Sequence, residues 1–198
     1  DLQSTAYNAL GDNDGAVVAI EPSTGKIKAM VSKPDFDPNQ ISSVIEETAN
    51  SDSSCLLNRA TQGMYPPGST FKILTTLEYI RENPNYKSYS YECEGDGIFN
   101  SVSIHCYNHK VHGTVSLEDS LAYSCNTSFS NIGTKLDMDA LNKLCGDFLY
   151  NKELPYDGYY KKSSYTMTSK TDKSLIPQTV IGQGETLITP LHNAMVMC

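Results

Sequence analysis

Apolar positions along this chain change period several times, and each change marks an element. Ala16-Val17-Val18-Ala19-Ile20 is apolar throughout, whereas Lys26-Ile27-Lys28-Ala29-Met30-Val31-Ser32 alternates polar with apolar. The first pattern suits a covered strand and the second a half-solvated one. With the turn Glu21-Pro22-Ser23-Thr24-Gly25 between them they predict a hairpin. Ahead of it, Leu2, Ala6 and Leu10 share one face of a short helix that Gly11-Asp12-Asn13-Asp14-Gly15 ends. Residues 40–58 are rich in Ser and Glu and are expected to form an exposed, loosely structured connector. Helical spacing returns in Phe71–Ile80, where Ile73, Leu74, Leu77 and Ile80 recur at steps of three and four, until Asn83-Pro84-Asn85 stops it. Tyr89 to His105 reads as irregular strands around Gly95 and Gly97.

Ser116, with an acid at Asp119, opens a helix that runs to about Tyr123. Ser124-Cys125-Asn126 interrupts it, and helical spacing resumes from Thr127 to Leu136. Asp137 then caps another helix, with Met138, Leu141, Leu144, Cys145, Phe148 and Leu149 on one side. Asn151 to Pro177 is polar and rich in Tyr, Ser and Lys, and is expected to be loop. Thr189 before Pro190 has the form of a cap and a first-turn proline, and opens a last helix.

Composition narrows the class. The chain has 198 residues, 39% of them hydrophobic, enough for one domain with a core of its own. No run of about eighteen apolar residues offers a membrane span. A net charge of −8 argues against nucleic acid, or an anionic membrane surface, as a partner. The chain opens at Asp1 without an initiator Met or a leader, and is expected to be a piece of something longer. The six cysteines include no Cys-x-x-Cys pair. Cys93 and Cys106 flank the turn-rich Glu94-Gly95-Asp96-Gly97 and can face one another across a hairpin, either as a disulfide or as two thiols. His105, His109 and His112 with Cys106 do not have a standard zinc spacing, so a solvated or structural histidine cluster is expected, with no metal and no cofactor.

The chemistry concentrates at Pro66-Pro67-Gly68-Ser69-Thr70-Phe71-Lys72. Pro-Pro-Gly cannot continue a helix, so Ser69 sits at the start of the helix that follows, where unpaired N–H groups and the positive dipole end favour developing negative charge. Residues three apart share a helix face, which puts Lys72 beside the Ser69 hydroxyl. A lysine among Phe, Ile and Leu has a route to a lowered pKa and hence to acting as a base. By itself Ser-x-x-Lys is a weak signal; an N-cap serine followed by a solvated lysine has the same letters.

A second constellation changes the weight. Tyr65-Pro66-Pro67-Gly68-Ser69-Thr70-Phe71-Lys72 resembles the nucleophile motif of penicillin-binding proteins, and Ser124-Cys125-Asn126 resembles their Ser-x-Asn motif at a similar interval. Gly15 to Ser32 is similar to the family's opening hairpin, and Asn58-Arg59-Ala60 precedes the nucleophile as it does there. His112-Gly113 and Leu121-Ala122-Tyr123 lead into the second motif, and Gly182-Gln183-Gly184 with Thr189-Pro190 resembles the stretch before the family's late helix. The family's third motif, Lys-Thr/Ser-Gly, has no counterpart: Lys170-Thr171-Asp172 lacks the glycine and precedes Gly182. The resemblance therefore implies a single transpeptidase-like domain fragment over residues 1–198, the first two-thirds of the domain. The implied fold is α+β and penicillin-binding-protein/serine-β-lactamase-like. It is mostly helical, with an N-terminal hairpin and without the C-terminal sheet strands.

The implied activity is acyl transfer between peptidoglycan stem peptides on the extracytoplasmic face of the bacterial membrane. Ser69 is the nucleophile, Lys72 its base, Ser124 a proton relay and Asn126 a holder of substrate and lysine, and β-lactams trap Ser69. The membrane is reached only through an N-terminal anchor absent from these residues. Without the third-motif strand one oxyanion donor is lost, which typically costs about a hundred- to a thousandfold in rate, so slow or absent penicillin labelling is expected. The open edge of the hairpin offers a route to a homo-oligomer. Alternatives are a β-lactamase or β-lactam-sensing receptor of the same superfamily, an inactive scaffold, or an enzyme using Cys125 as nucleophile. No adjacent His-plus-acid pair supports the last of these.

Overall fold

A computed structural model describes residues 1–51 and 53–198. The first elements are helix α1 (Leu2–Leu10), strands β1 (Gly15–Glu21) and β2 (Lys26–Lys33), and helices α2 (Ile41–Ala49) and α3 (Arg59–Gln62). Helix α4 (Lys72–Glu82) and strands β3 (Tyr91–Cys93), β4 (Asp96–Phe99), β5 (Val102–His105) and β6 (Gly113–Val115) follow. Helices α5 (Leu117–Ala122), α6 (Asn126–Gly133), α7 (Met138–Asp147), α8 (Ile176–Thr179) and α9 (Pro190–Met195) complete the order. The chain groups into two compact units. One is Asp1–Tyr65 with Glu153–Ser163 and Ile188–Cys198, the other Pro66–Lys152 with Ser164–Leu187. No described helix is long and apolar enough to cross a membrane.

In the first unit β1 and β2 pair antiparallel from Gly15↔Lys33 to Glu21↔Lys26, with a register shift between Ala19 and Ile20. The alternation read from the sequence decides which way β2 faces: Ala29 and Val31 are buried against Ala6 of α1, with Leu10, Val17 and Ala19 packed around them. The edge of β2 is not wholly open. The Gln3 side-chain amide donates to Met30 O and accepts from Met30 N, both at 2.8 Å, taking up one residue's pair of free backbone groups. The expected loose connector differs from what is found. Ile41, Val44 and Ile45 are spaced for a helix, and α2 forms there although none of its residues is buried. The Ser and Glu content had hidden that spacing; Asp52, within the same stretch, lies outside the described residues.

The second unit is built around α6, which buries Thr127, Ser128, Phe129, Ser130, Ile132 and Gly133, more than one face of a surface helix. Its polar residues are paired rather than stranded. Ser128 Oγ lies 2.7 Å from Ser120 Oγ and 2.9 Å from Tyr89 Oη, and Ser130 Oγ donates to Pro177 O at 2.9 Å. Gly133 permits the approach of α8: a Cβ there would lie 2.6 Å from a Val180 methyl. Helix α5 starts with the expected reciprocal cap, Asp119 N donating to Ser116 Oγ at 3.0 Å and Ser116 N to Asp119 Oδ2 at 3.1 Å. Asp137 caps α7 one way, accepting from the Asp139 and Ala140 amides.

The irregular strands of 89–105 resolve into β3, which pairs with β6, and a β4–β5 hairpin. Asn100 and Ser101 both have positive φ (47° and 67°), the backbone a two-residue hairpin turn demands. Strand β6 was not legible, because Gly113-Thr114-Val115 is too short to show a period. Residues 151–177 lack strands and helical turns as far as Lys173, as expected, yet the segment is not simply solvated. Tyr165 and Met167 are buried, and the Tyr165 ring stacks on Phe71 with centroids 5.5 Å apart.

Candidate active site

The four residues singled out from the sequence come together in the second unit. Ser69 lies in a 3₁₀ turn, Gly68–Phe71, that runs directly into α4. The turn is anchored from beneath by Phe71, which is 1% exposed between Tyr165 and Tyr150. The buried stripe of α4 is not the predicted one. Leu74, Thr75, Glu78 and Tyr79 face inward, whereas Leu77 is exposed. Polar partners rotated the helix: Thr75 Oγ1 donates to Val180 O at 2.8 Å, a bond that a purely apolar count does not register.

Gly68 N–H donates to Gly182 O at 2.8 Å, tying the Ser69 turn to the Gly182-Gln183-Gly184 loop. Gly182 has φ of +77°, and a Cβ on it would stand 2.0 Å from Gly68 O. Only glycine lets two backbones meet this closely, which is the physical content of that motif.

Lys72 is fully buried, and its Nζ is the hub of the cluster. It lies 2.7 Å from Asn126 Oδ1, 2.8 Å from Ser124 O, 2.9 Å from Ser124 Oγ and 3.3 Å from Ser69 Oγ. An ammonium has three N–H donors, and the three nearest acceptors use them all. The longer contact to Ser69 is the one a neutral amine would make with its lone pair, accepting the serine proton. Burial lowers the Lys72 pKa from 10.5 to about 8, against a smaller upward pull from Cys125 and Cys106. The Ser124 hydroxyl donates to Ser69 Oγ at 2.8 Å, so it touches both the Ser69 hydroxyl and the Lys72 amine. The Asn126 amide is oriented by its other end, Nδ2 donating to His105 O at 2.9 Å, which leaves Oδ1 for Lys72.

Ser124 has φ of +52°, in the left-handed region that disfavours a residue with a Cβ. The bend is held by backbone bonds, Ser124 N–H to Leu121 O at 3.0 Å and Cys125 N–H to Ser120 O at 2.9 Å. It turns Ser124 outward while Cys125 is buried, and it separates α5 from α6 where the helical pattern broke in the sequence. A cavity of about 610 Å³ opens on Ser69 and Asn126, walled by His105, Asn108, Gln178 and Gln183 among others. A second hollow of about 370 Å³, reaching Lys110, His112 and Tyr123, meets it at Ser69, Tyr107 and Asn126.

The histidines do not form the grouping weighed from the sequence. His105 and His109 stack on one another, and His109 Nδ1 lies 2.7 Å from Asp96. His112 and Cys106 instead belong to a separate cluster with Cys93 and Cys125, residues brought together by β3, β5 and the Ser124 bend. No local spacing signals that set.

Residues 15–197 match the family model for the penicillin binding protein transpeptidase domain. The chain belongs to the penicillin-binding protein transpeptidase family. Among relatives, it is 32% identical over 212 residues to the peptidoglycan D,D-transpeptidase PbpA of Mycolicibacterium smegmatis, covering 98% of this chain and 43% of the relative. It is 30% identical to the peptidoglycan D,D-transpeptidase MrdA of Acinetobacter baumannii, with 98% of this chain and 31% of the relative covered. Among solved structures, penicillin-binding protein A of M. tuberculosis as an imipenem acyl-enzyme complex superposes with a TM-score of 0.89 at 29% identity, over 98% of this chain and 48% of that one. The Pseudomonas aeruginosa PBP2 in complex with WCK 5153 gives 0.88 at 28%, over 98% and 48%. The α+β transpeptidase fold implied by the motifs is thus the fold of the family. The chain spans less than half the length of the curated relatives it matches.

Proposed function

We propose that this chain carries the acylation centre of a peptidoglycan D,D-transpeptidase, with Ser69 as nucleophile, Lys72 as its base, Ser124 as proton relay and Asn126 as the group that steadies Lys72 and the substrate amide. The observation that carries the reading is the contact of one buried lysine nitrogen with both serine hydroxyls and the asparagine carbonyl oxygen. Ser69 Oγ attacks the carbonyl carbon between the two terminal D-alanines of a stem peptide while its proton passes to Lys72 Nζ. The tetrahedral intermediate collapses with cleavage of the C–N bond. The departing D-alanine nitrogen takes up a proton delivered from Lys72 through the Ser124 hydroxyl. An amine of a neighbouring stem peptide then attacks the Ser69 ester, forming the crosslink and returning the proton to Ser69. A β-lactam enters the same way, but its opened ring keeps the leaving nitrogen tethered, so the ester persists.

The two hollows meeting at Ser69 suit a reaction with two peptide substrates. The hydrolytic alternative needs a base for an attacking water, and none of the residues walling the larger cavity is a carboxylate. The reading makes residues 1–198 one fragment of the transpeptidase domain, acting on the extracytoplasmic face in a parent protein anchored through its N-terminus. It also leaves the free edge of the β1–β2 hairpin as the surface for self-association: a concentration-dependent dimer in light scattering supports that, and a strict monomer counts against it. The functional test is prolonged incubation with a fluorescent penicillin followed by peptide mapping. The expected adduct is an ester on Ser69 alone, formed slowly and absent from Ser69→Ala. An adduct at Cys125, or one that survives in Ser69→Ala, overturns the assignment.

A further inference from the structure

Three buried thiols and one imidazole converge behind the Ser124 bend. Cys93 ends β3, Cys106 follows β5, His112 precedes β6, and Cys125 sits between Ser124 and Asn126. The three sulfurs are at most 1% exposed, and the donor atoms of all four residues lie within 4.8 Å of one another. Cys93 Sγ is 3.8 Å from Cys106 Sγ, Cys106 Sγ is 3.7 Å from Cys125 Sγ, and Cys93 Sγ is 3.3 Å from His112 Nδ1. Zinc–sulfur bonds of about 2.3 Å and zinc–nitrogen bonds of about 2.0 Å at tetrahedral angles put sulfurs about 3.8 Å apart and sulfur about 3.5 Å from nitrogen.

We propose that Cys93, Cys106, Cys125 and His112 bind one structural zinc ion that clamps the Ser124–Asn126 loop. The donor set is of the Cys₃His type, and all four positions are filled by protein, which closes the site to water and substrate. The surroundings match the demands of thiolate ligands: Thr127 Oγ1 donates to Cys93 Sγ at 3.3 Å, and the backbone N–H groups of Gly95 and His112 also point to that sulfur. His112 is held flat against Tyr123, ring centroids 5.7 Å apart, which fixes the plane in which Nδ1 is presented. Oxidation is the competing chemistry for close thiols, but three sulfurs cannot all pair with one another, and a disulfide between any two strands the third. Zinc takes all three as thiolates and one neutral imidazole, releasing the thiol protons to solvent.

Cys125 gives the ion its consequence. Its neighbours on either side are Ser124 and Asn126, both within hydrogen-bond reach of Lys72 Nζ, so a ligand bond at Cys125 restrains the positive-φ bend that presents them. The metal touches no substrate and acts by positioning.

The test is metal analysis of the whole chain purified without chelator. About one zinc per chain is expected, retained in Cys55→Ser and Cys198→Ser, and reduced about tenfold or more in Cys93→Ser with His112→Ala. To separate loss of the ligands from loss of the fold in that variant, the unaltered chain is also stripped with a strong chelator and given cobalt(II). Tetrahedral thiolate ligation shows as an intense near-ultraviolet sulfur-to-cobalt band. In the stripped protein, hydrogen exchange at the Cys125 amide quickens about tenfold or more and returns to its slow rate on adding zinc. A chain that carries no metal and takes up neither ion overturns the proposal, as does an intact mass two daltons low from a disulfide within the cluster. None of these readouts depends on whether Ser69 acylates, so the zinc site and the transpeptidase reading fail separately.

Discussion

On the proposed mechanism, the pH dependence of acylation follows from where Lys72 sits. With a pKa of about 8, roughly one Lys72 in eleven is neutral at pH 7, against roughly one in three thousand at the ordinary 10.5. Burial therefore enlarges the population able to accept the Ser69 proton by roughly 300-fold, part of which is given back because a less basic amine is a weaker proton acceptor. The rate of Ser69 ester formation with a fluorescent penicillin, followed by acid-quenched time points over a prolonged incubation, should rise about tenfold from pH 6 to pH 7 and level off above about pH 8. Lys72→Arg cannot act as a base, since a guanidinium stays charged, and should lower the rate by about a hundredfold or more at every pH. A rate that is flat from pH 6 to 9, or that keeps climbing to pH 10, would refute the reasoning.

The same shift has a stability signature of definite sign. Below pH 8 Lys72 is charged both folded and unfolded, and the folded state alone bears the desolvation cost, about 3 kcal/mol for the shift from 10.5 to about 8. Between about pH 8 and 10.5 the unfolded chain holds the proton that the folded chain has released, so stability rises with pH through that window. Chemical denaturation of the native chain, referenced to Lys72→Met to cancel other groups, should show the rise; a fall would mean that the partners outweigh burial.

Three further outcomes test the scaffold around the site. Gly182→Ala forces a Cβ into Gly68 O and a non-glycine residue into positive φ, and should lower stability by at least ~1–3 kcal/mol in a denaturant melt and slow acylation with it. Ser124→Gly should be more stable than Ser124→Ala by about 1 kcal/mol, because only glycine relaxes at φ of +52°, while both lose the hydroxyl contacts to Ser69 and Lys72; equal melts would remove the strain argument. Ser116→Ala removes the cap of α5 and should cost about 1 kcal/mol of stability, with little change in the Lys72 plateau.

What was legible in the sequence follows the range of the interactions. Ser69 and Lys72 are one turn apart, so their meeting is fixed by helix geometry. The Ser116–Asp119 pair and the lone Asp137 cap are equally local, and both were readable from a few neighbouring residues. Helix α4 shows where local reading ends. Its apolar count pointed to Leu77, but the buried face was set by Thr75 reaching Val180 across 105 positions of chain. Helix α2 was missed for a different reason, since its sparse apolar stripe of Ile41, Val44 and Ile45 lies in a Ser/Glu-rich background and resembles a solvated connector. The meeting of Lys72 with Ser124 and Asn126, 52 and 54 residues on, came from resemblance and not from spacing.

The thiol cluster lies at the far end of this range. Its four ligands come from four separate segments, and every pairwise interval is wrong for a compact zinc motif. Reading cysteines by spacing alone reached only Cys93 with Cys106, which do face one another as thiols with sulfurs 3.8 Å apart, and a histidine group that the fold pulls apart. The three-dimensional set is coherent because the short β3–β6 and β4–β5 ladders fix Cys93, Cys106 and His112 on one side of the Ser124 bend, and the bend supplies Cys125. Short ladders of three and four residues are marginal on their own, and a metal bond at their ends is the kind of tie that keeps such pieces in register. The residue that completes the cluster is also the middle residue of the Ser-x-Asn motif. Any loosening of the cluster is therefore transmitted by one covalent step to each of the two side chains that hold Lys72.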